Sequence, residues 1–161
     1  IGVVLAIIYS SKTSKIPIII FSDLISVVSP IGLFFGRIAN FINGELYGRV
    51  TSHNFGVIFP NGGMLPRHPS QLYEAFFEGL VLFSIMILLM NKSKIFENKG
   101  FLTGSFIFCY GFFRFFIEYF REPDEHIGLI YFDLSMGQIL SLPMIVFGIY
   151  FIAIFNNKKI K

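Results

Sequence analysis

Long apolar runs constrain the fold of this chain more than any other feature of its sequence. Four stretches, at residues 17–43, 70–90, 101–120 and 134–155, consist mostly of Ile, Leu, Phe, Val and Met. About 20 apolar residues in a helix cross the roughly 30 Å hydrocarbon layer of a bilayer. The sequence therefore predicts an all-α, polytopic integral membrane protein.

Composition supports the same fold class and argues against an ordinary soluble domain. The 161 residues are 54% hydrophobic and only 14% charged, whereas soluble domains carry roughly 25% charged residues. We expect one membrane domain over 1–161, with a partial span at 1–9. Residues 44–69 are rich in Gly and Pro and too polar to span, so they are predicted to form an outer loop with a short strand at 55–59.

Lysine and arginine are distributed differently along the chain. All eight Lys lie in three segments, at 12–15, 92–99 and 158–161, and all five Arg lie elsewhere. Alternate crossing places the three Lys segments on one side, which the positive-inside rule identifies as cytoplasmic. We therefore expect a cytoplasmic C-terminus and an outward-facing loop 44–69.

A polar segment follows directly after the first complete apolar stretch. Residues 36–51 read GRIANFINGELYGRVT, with two Arg, two Asn and one Glu. Bilayers exclude such residues, so their presence at the end of a hydrophobic helix typically marks a functional site. At about 1.5 Å per residue, Arg37 lies roughly 30 Å beyond Pro17, at the outer membrane boundary.

A second arginine is predicted in the same half of the membrane. Arg114 lies about 20 Å along its helix from Phe101, in the outer half of the membrane. An Arg at the bilayer centre costs at least about 2.5–3.5 kcal/mol, so a charge within the membrane needs a partner anion. One interpretation is a pocket in which Arg side chains bind a phosphate, whose oxygens match the guanidinium fork. A lipid headgroup is the anion available at that depth, so the cavity is predicted to be polar and outward-facing.

Helical spacing suggests partners for these arginines. Tyr110, Arg114 and Glu118 stand at i, i+4 and i+8, and Arg37 and Asn40 at i, i+3, so each set shares one helix face. An alternative interpretation of the Arg114–Glu118 spacing is a buried ion pair that holds helices together.

Other polar residues have equally plausible structural explanations. Asp23 lies only about 9 Å from the cytoplasmic edge, where a helix-packing contact is as good an explanation as a site. Glu74 and Glu78 stand near the N-terminus of their helix, where the dipole favours carboxylates, and Glu74 is the better site candidate. His53 and His68 fall in the polar loop, where histidines are usually solvated.

Several site classes lack support in the sequence. Cys109 is the single cysteine, which excludes an internal disulfide framework and a CxxC site. The chain shows neither a Cys/His ligand set nor a phosphate-binding Gly loop, so we expect no metal, no cofactor and no nucleic-acid partner.

The segment GRIANFINGELYGRVT resembles the signature of the prolipoprotein diacylglyceryl transferases, bacterial inner-membrane enzymes that lipidate lipoprotein precursors. RHPSQLYEAFFEG at 67–79, YGFFRFFIEYFREPD at 110–124 and MGQILSLPMIVFG at 136–148 agree with it in order and spacing. The resemblance covers essentially the whole chain.

The resemblance implies a reaction and its partners. In this family the lipobox Cys thiol of a prolipoprotein attacks the glyceryl carbon of phosphatidylglycerol, forms a thioether and releases glycerol 1-phosphate. The implied partners are phosphatidylglycerol, the prolipoprotein lipobox peptide and the bilayer, and we expect a monomer.

The resemblance also implies roles for residues that match its motifs. Arg37 and Arg114 would hold the phosphate, and Gly48 would allow close backbone approach. The implied catalytic residues are Arg114, Glu45, Asn40, Tyr110 and Glu118. Further possible members of the site are His68, Gln71, Glu74 and Asp23.

The chain begins inside an apolar run, and the proposed His base of the family would precede Ile1. We therefore expect a fragment that is inactive alone and active in its full-length form. Two other classes remain as alternatives: a transporter or channel using Arg114, Glu118 and Asp23, and a scaffold that binds anionic lipid. The transporter is disfavoured because the charges gather in the outer half instead of forming a file across the membrane.

Overall fold

The computed structural model describes residues 2–92, 98–123 and 133–156, with side chains described up to residue 154. Five helices account for most of these ranges: α1 (Gly2–Ser14), α2 (Ile18–Asn43), α3 (Ser70–Lys92), α4 (Phe101–Ile117) and α5 (Met136–Asn156). No strand occurs within the described ranges. The all-α prediction is confirmed.

The described helices have the length and surface of membrane helices. Helices α2, α3 and α5 are long and apolar enough to cross a bilayer, and α4 is a shorter apolar helix of 17 residues. Large apolar side chains such as Phe35, Leu88 and Val146 are exposed on their outer faces, as expected for surfaces that contact lipid. The polytopic membrane architecture is therefore confirmed, while the division into spans and the single domain stay predictions.

The first helix runs further than the apolar pattern predicts. The partial span was expected over 1–9, but α1 continues through the polar residues to Ser14. Its hydroxyls bond backbone groups nearby, with Thr13 Oγ1 donating to the Tyr9 carbonyl at 2.9 Å, and such bonds let short polar side chains remain in a helix.

The strand predicted at 55–59 is wrong. Only Val57 forms a backbone pair there, exchanging two 2.9 Å hydrogen bonds with Arg67. Pro60 and Pro66 flank this pair and have no N–H to donate, so the ladder cannot extend past them. The loop 44–69 is instead joined by isolated backbone bridges.

The loop end of the molecule is defined here as the end at which residues 44–69 lie, next to the C-termini of α2 and α4 and the N-terminus of α3. Helix α2 ends there in a Schellman motif, in which Gly44 has φ of 66° and the Glu45 N–H reaches the Asn40 carbonyl at 3.0 Å. Glycine adopts this left-handed conformation without a steric penalty. Gln71 Nε2 of α3 then donates to the Glu45 carbonyl at 2.7 Å. This bond joins the start of α3 to the end of α2.

Glycines let the helices approach closely. A Cβ on Gly148 of α5 would lie 2.5 Å from the Phe108 nitrogen of α4, and one on Gly79 of α3 would lie 2.7 Å from the Phe34 Cβ of α2. Small residues at helix–helix contacts are the usual packing device in membranes. The Phe34–Gly79 approach brings the last turns of α2 against α3 at the loop end.

Asp23 joins α2 to the N-terminus of α4, far from the loop end. Its carboxylate is fully buried and accepts bonds from Gly100 N at 2.7 Å, Thr103 N at 2.8 Å and Thr103 Oγ1 at 2.7 Å. The first N–H groups of a helix have no intrahelical partner and need such an acceptor. Asp23 therefore caps α4 from a neighbouring helix. This contact favours a structural role for Asp23 over membership of the functional site.

Replacing Asp23 with Ala is expected to lower the free energy of unfolding by about 2 kcal/mol, because the buried Gly100 N–H and the partly buried Thr103 N–H lose their acceptor. Ser22→Ala is the matched control, since the Ser22 hydroxyl bonds only the Ile18 carbonyl of its own helix. Unfolding of the chain by SDS in mixed micelles, followed by circular dichroism, measures both variants. Equal stabilities of the two variants would contradict the capping role.

Candidate functional site

Six charged side chains meet at the loop end, drawn from α2, α3, α4 and the residues just after α4. We call this group the ion cluster. Its members are Arg37, Glu74, Glu78, Arg114, Glu118 and Arg121. The carboxylates are buried, whereas the three arginine side chains are 12–15% exposed. The arginine side chains therefore keep a small accessible surface.

Glu74 lies at the centre of the ion cluster. Its Oε1 accepts hydrogen bonds from Arg114 Nη1 and, at 3.1 Å, from Arg121 Nη1. Its Oε2 lies 3.2 Å from Arg37 Nε. One carboxylate thus contacts three guanidiniums, and charge-assisted contacts of this kind are the strong ones in a protein interior.

The other two carboxylates have fewer contacts. Glu118 Oε2 lies 2.9 Å from Arg114 Nη2, at the i,i+4 spacing. Glu78 accepts one 3.4 Å bond from Arg37 Nη2 and lies 3.7 Å from Arg114 Nη1. The ion pair proposed above as a structural alternative for Arg114 and Glu118 is therefore present, within a larger cluster.

A π-helical segment carries one of these carboxylates. Helix α3 is α-helical over Ser70–Glu74, π-helical over Ala75–Val81 and α-helical again from Leu82. A π-turn changes the angular spacing of side chains and is frequent at functional sites. Here both Glu74 and Glu78 are fully buried and face the arginines, and Gly79 in the same segment admits Phe34 of α2.

Helix α5 approaches the cluster at its N-terminus. A Cβ on Gly137 would lie 2.6 Å from the Glu118 carboxyl carbon, so a larger residue here would force the Glu118 side chain to move. The helix begins with a capping box, in which Ser135 N donates to Gln138 Oε1 and Gln138 N donates to Ser135 Oγ. The N-terminal dipole of α5 thus lies beside the Glu118 carboxylate, an arrangement that stabilises negative charge.

A backbone junction positions Arg121. Gly48 N donates to the His68 carbonyl and Arg49 N to the Phe120 carbonyl, both at 2.9 Å. Arg49 Nε also donates to the Arg121 carbonyl at 3.0 Å. The polar segment after α2 is therefore the element that holds the chain after α4, and with it the Arg121 side chain, against Glu74.

Arg67 fixes the loop itself. Its Nη1 lies 2.6 Å from Glu122 Oε2 and donates to the Gly48 carbonyl at 3.2 Å, and its guanidinium carbon lies 4.8 Å from the centre of the Tyr47 ring. Cation–π and ion-pair contacts of this kind stabilise partly buried sites. Of the five arginines, Arg49 and Arg67 hold the loop, and the other three form the cluster.

His68 lies in a different place from the cluster. It lines an apolar groove of about 760 Å³ between α3 and α4, together with His53, Phe55 and Phe120. Its Nδ1 is 3.2 Å from the Tyr73 hydroxyl. Burial, and to a lesser extent the nearby His53, lower the pKa of His68 below its ordinary value, which favours the neutral imidazole.

The structure gathers some of the predicted site residues and separates others. Arg37, Arg114, Glu118 and Glu74 belong to the ion cluster. Gln71 and Glu45 are bonded to each other at the start of α3, and the Glu45 side chain is exposed, 3.3 Å from Asn43 Nδ2.

Four predicted members form no hydrogen bond or ion pair with the cluster arginines within the described ranges. Asn40 contributes its carbonyl to the end of α2, and Asp23 caps α4. Tyr110 stacks on Phe106 beside the buried core, and its phenol lies within electrostatic range of Arg37 and Arg114. The close approach at Gly48 is made by protein backbone instead of a ligand.

Two members of the cluster, Glu78 and Arg121, were not among the predicted site residues. The sequence explained Glu78 by the helix dipole, although its i,i+4 spacing from Glu74 offered a signal. Arg121 lies beyond the end of α4, where no helical spacing links it to Glu74. Within the described ranges no three His, Cys, Asp or Glu side chains are placed to hold a metal ion.

Comparison with known proteins identifies a family. A family model described as prolipoprotein diacylglyceryl transferase matches residues 1–154. Proteins named phosphatidylglycerol–prolipoprotein diacylglyceryl transferase are similar over 157 residues, at 54% identity in Rickettsia akari (strain Hartford) and 55% in Rickettsia conorii (strain ATCC VR-613 / Malish 7). These matches cover 98% of this chain and 61% and 60% of the two relatives. The chain thus spans about three fifths of the length of the curated relatives it matches.

Proposed function

The chain belongs to the prolipoprotein diacylglyceryl transferase family, and on this basis we propose a function for its full-length form. By full-length form we mean this chain completed to the length of its relatives with the remaining sequence of the Rickettsia akari protein. The proposed function is transfer of the diacylglyceryl group of phosphatidylglycerol to the lipobox Cys thiol of a prolipoprotein.

The ion cluster is the observation that carries this proposal. It contains three guanidiniums, from Arg37, Arg114 and Arg121, at one end of apolar helices, and each of these side chains is partly exposed. Guanidiniums match phosphate oxygens in geometry and charge. A phospholipid in the adjoining bilayer would present its phosphate at this level, while its acyl chains remain among the apolar helix surfaces.

The reaction uses positive charge where the phosphate leaves. The substrate sulfur forms a bond to the glyceryl carbon, the bond from that carbon to the phosphate oxygen breaks, and its electron pair stays on the departing glycerol 1-phosphate. Arg37 and Arg114 would stabilise the charge that develops on this oxygen, in the manner of a preorganised electrostatic site. The thiol must also lose its proton, and the family resemblance implies a His base upstream of this chain.

The orientation of the protein is part of the proposal. Lys12, Lys15, Lys92 and Lys99 flank the ends of helices opposite the loop end, and the positive-inside rule places that side in the cytoplasm. The ion cluster would then face the outer side of the bacterial inner membrane, the C-terminus would be cytoplasmic, and the protein would act as a monomer.

Arg37→Lys tests the phosphate role. The variant keeps the charge but loses the fork by which Arg37 reaches Glu74 through Nε and Glu78 through Nη2. We expect its turnover in the full-length form to fall by about 100-fold or more, the effect of losing one electrostatic stabiliser. Mass spectrometry of a lipobox peptide incubated with phosphatidylglycerol measures the thioether product.

Arg49→Lys serves as the matched control for this experiment. Among the described residues the Arg49 side chain donates one bond, from Nε to the Arg121 carbonyl, which an ammonium group can also donate. The backbone bonds by which residue 49 holds Phe120 and His68 do not depend on the side chain. This variant is expected to keep most of the turnover. Near-normal turnover in Arg37→Lys would overturn the assignment, and absence of product in the unsubstituted full-length form would overturn the proposed function itself.

A further inference from the structure

The ion cluster carries no net formal charge, because its three guanidiniums face three carboxylates. A phosphate diester brings one further negative charge. A buried charge without a cation partner is strongly unfavourable and the group becomes neutral instead. Binding of the phosphate to this site, as the proposed function requires, would give the described cluster one excess negative charge, which protonation of one carboxylate would remove.

Glu78 is the carboxylate that the arginines hold least closely. Its nearest guanidinium contacts are 3.4 Å and 3.7 Å, whereas one oxygen of each of the three carboxylates has no hydrogen-bond partner. Glu74 is contacted by three arginines, and Glu118 has a 2.9 Å contact to Arg114 and the N-terminus of α5 beside it. Exchange at Glu78 costs fewer close contacts than exchange at either of the others.

Glu78 also occupies the position that a bound phosphate would need. It bridges Arg37 and Arg114, its Oε2 facing Arg37 Nη2 and its Oε1 facing Arg114 Nη1. Two oxygens of a phosphate would bridge the same two guanidiniums. The carboxylate of Glu78 thus lies between the two guanidiniums that a phosphate would bridge.

We propose that phosphate binding at the ion cluster displaces Glu78 from Arg37 and Arg114, and that Glu78 takes up a proton as it loses these partners. This inference rests on the proposed function. It adds that the Glu78 carboxylate competes with the phosphate for the same two arginines. Such a competitor weakens phosphate binding and speeds release of the glycerol phosphate product. The proton goes from solvent to the Glu78 carboxylate, and the charge of the occupied site stays balanced.

Few other ionisable groups surround Glu78 in the described structure. Arg37 faces it from α2 and Arg114 from α4, Glu74 lies on its own helix, and the Tyr110 phenol of α4 lies within its electrostatic range. A guanidinium is not deprotonated in proteins. Proton uptake on binding is therefore assigned to Glu78.

The test measures the affinity of the full-length form for short-chain phosphatidylglycerol in detergent micelles from pH 6 to pH 8. Because a proton is taken up on binding, the affinity of the unsubstituted protein is expected to fall as pH rises. Glu78→Gln keeps the shape and removes the charge, so it is expected to bind at least about tenfold more tightly at pH 8, a change of about 1.4 kcal/mol. Its affinity should be independent of pH.

Glu122→Gln is the matched control, since Glu122 pairs with Arg67 outside the cluster. It should retain the pH dependence of the unsubstituted protein. If Glu78→Gln does not fold, calorimetry of the unsubstituted protein in two buffers of different ionisation enthalpy measures the proton uptake directly. No proton uptake, or unchanged affinity in Glu78→Gln, overturns the exchange at Glu78 while binding itself still supports the phosphate site. Absence of binding in every variant overturns the phosphate site.

Discussion

Replacing Glu74 with Gln is expected to lower the free energy of unfolding by about 3–5 kcal/mol, the usual cost of breaking a buried ion pair on one side. Glu74 is fully buried and contacts Arg37, Arg114 and Arg121. Glutamine has no charge to offset these guanidiniums, and its amide nitrogen is a donor facing other donors. Unfolding by SDS in mixed micelles, followed by far-UV circular dichroism, measures the difference.

Two further variants serve as the surface control and as the test of coupling for this result. Asp133→Asn removes a carboxylate from an exposed position, and surface changes of this kind stay within about 0.5 kcal/mol. The double variant Glu74→Gln, Arg121→Gln removes one cation with the anion, so part of the lost stability should return as a coupling energy. A loss below about 1 kcal/mol in Glu74→Gln, or no coupling in the double variant, would contradict the central position of Glu74.

The sequence predicted the parts of the site that depend on local helical geometry. Arg114 and Glu118 are one turn apart on α4, and the spacing alone indicated their contact, which the structure has at 2.9 Å. The depth of Arg37 and Arg114 along their helices predicted that both lie near one end of the helices. Apolar length likewise predicted the helices, because membrane-spanning segments have few alternative structures.

Contacts between distant segments could not be predicted in the same way. Glu78 faces the cluster through a π-helical segment and a close approach of Gly79 to Phe34, and neither is encoded by a periodic pattern. Arg121 reaches Glu74 because Arg49 holds the chain after α4, its N–H bonding the Phe120 carbonyl and its Nε the Arg121 carbonyl. A single sequence shows these residues but not their pairing.

Asp23 is the converse case, a predicted site candidate whose contacts are structural. A buried carboxylate in an apolar helix is a reasonable candidate for a functional site. Its partners are the backbone N–H groups of Gly100 and Thr103 at the start of α4. Every residue except proline has such a group, so the sequence does not show which of them Asp23 contacts. Only the packing of α2 against α4 distinguishes a cap from a site.

Gly48→Ala is expected to destabilise the loop end by about 3 kcal/mol, the upper range for forcing extra atoms into a packed interior. A Cβ at this position would overlap the Phe120 carbonyl oxygen and would lie 2.7 Å and 2.8 Å from the carbonyl oxygen and Cβ of His68. Most of these atoms belong to backbone that is already hydrogen-bonded, so they cannot move aside cheaply. The strain falls on the junction that positions Arg121 against Glu74.

Gly36→Ala is the matched control for this substitution, because it lies in the same polar segment and a Cβ there meets nothing within 4 Å. Alanine also has the higher helix propensity, so this variant should be as stable as the unsubstituted chain or slightly more stable. Hydrogen exchange followed by mass spectrometry should show faster exchange at Arg49 and His68 in Gly48→Ala only, since their N–H groups close the junction. Equal exchange in the two variants would mean that the junction tolerates a side chain, and the positioning of Arg121 would then need another cause.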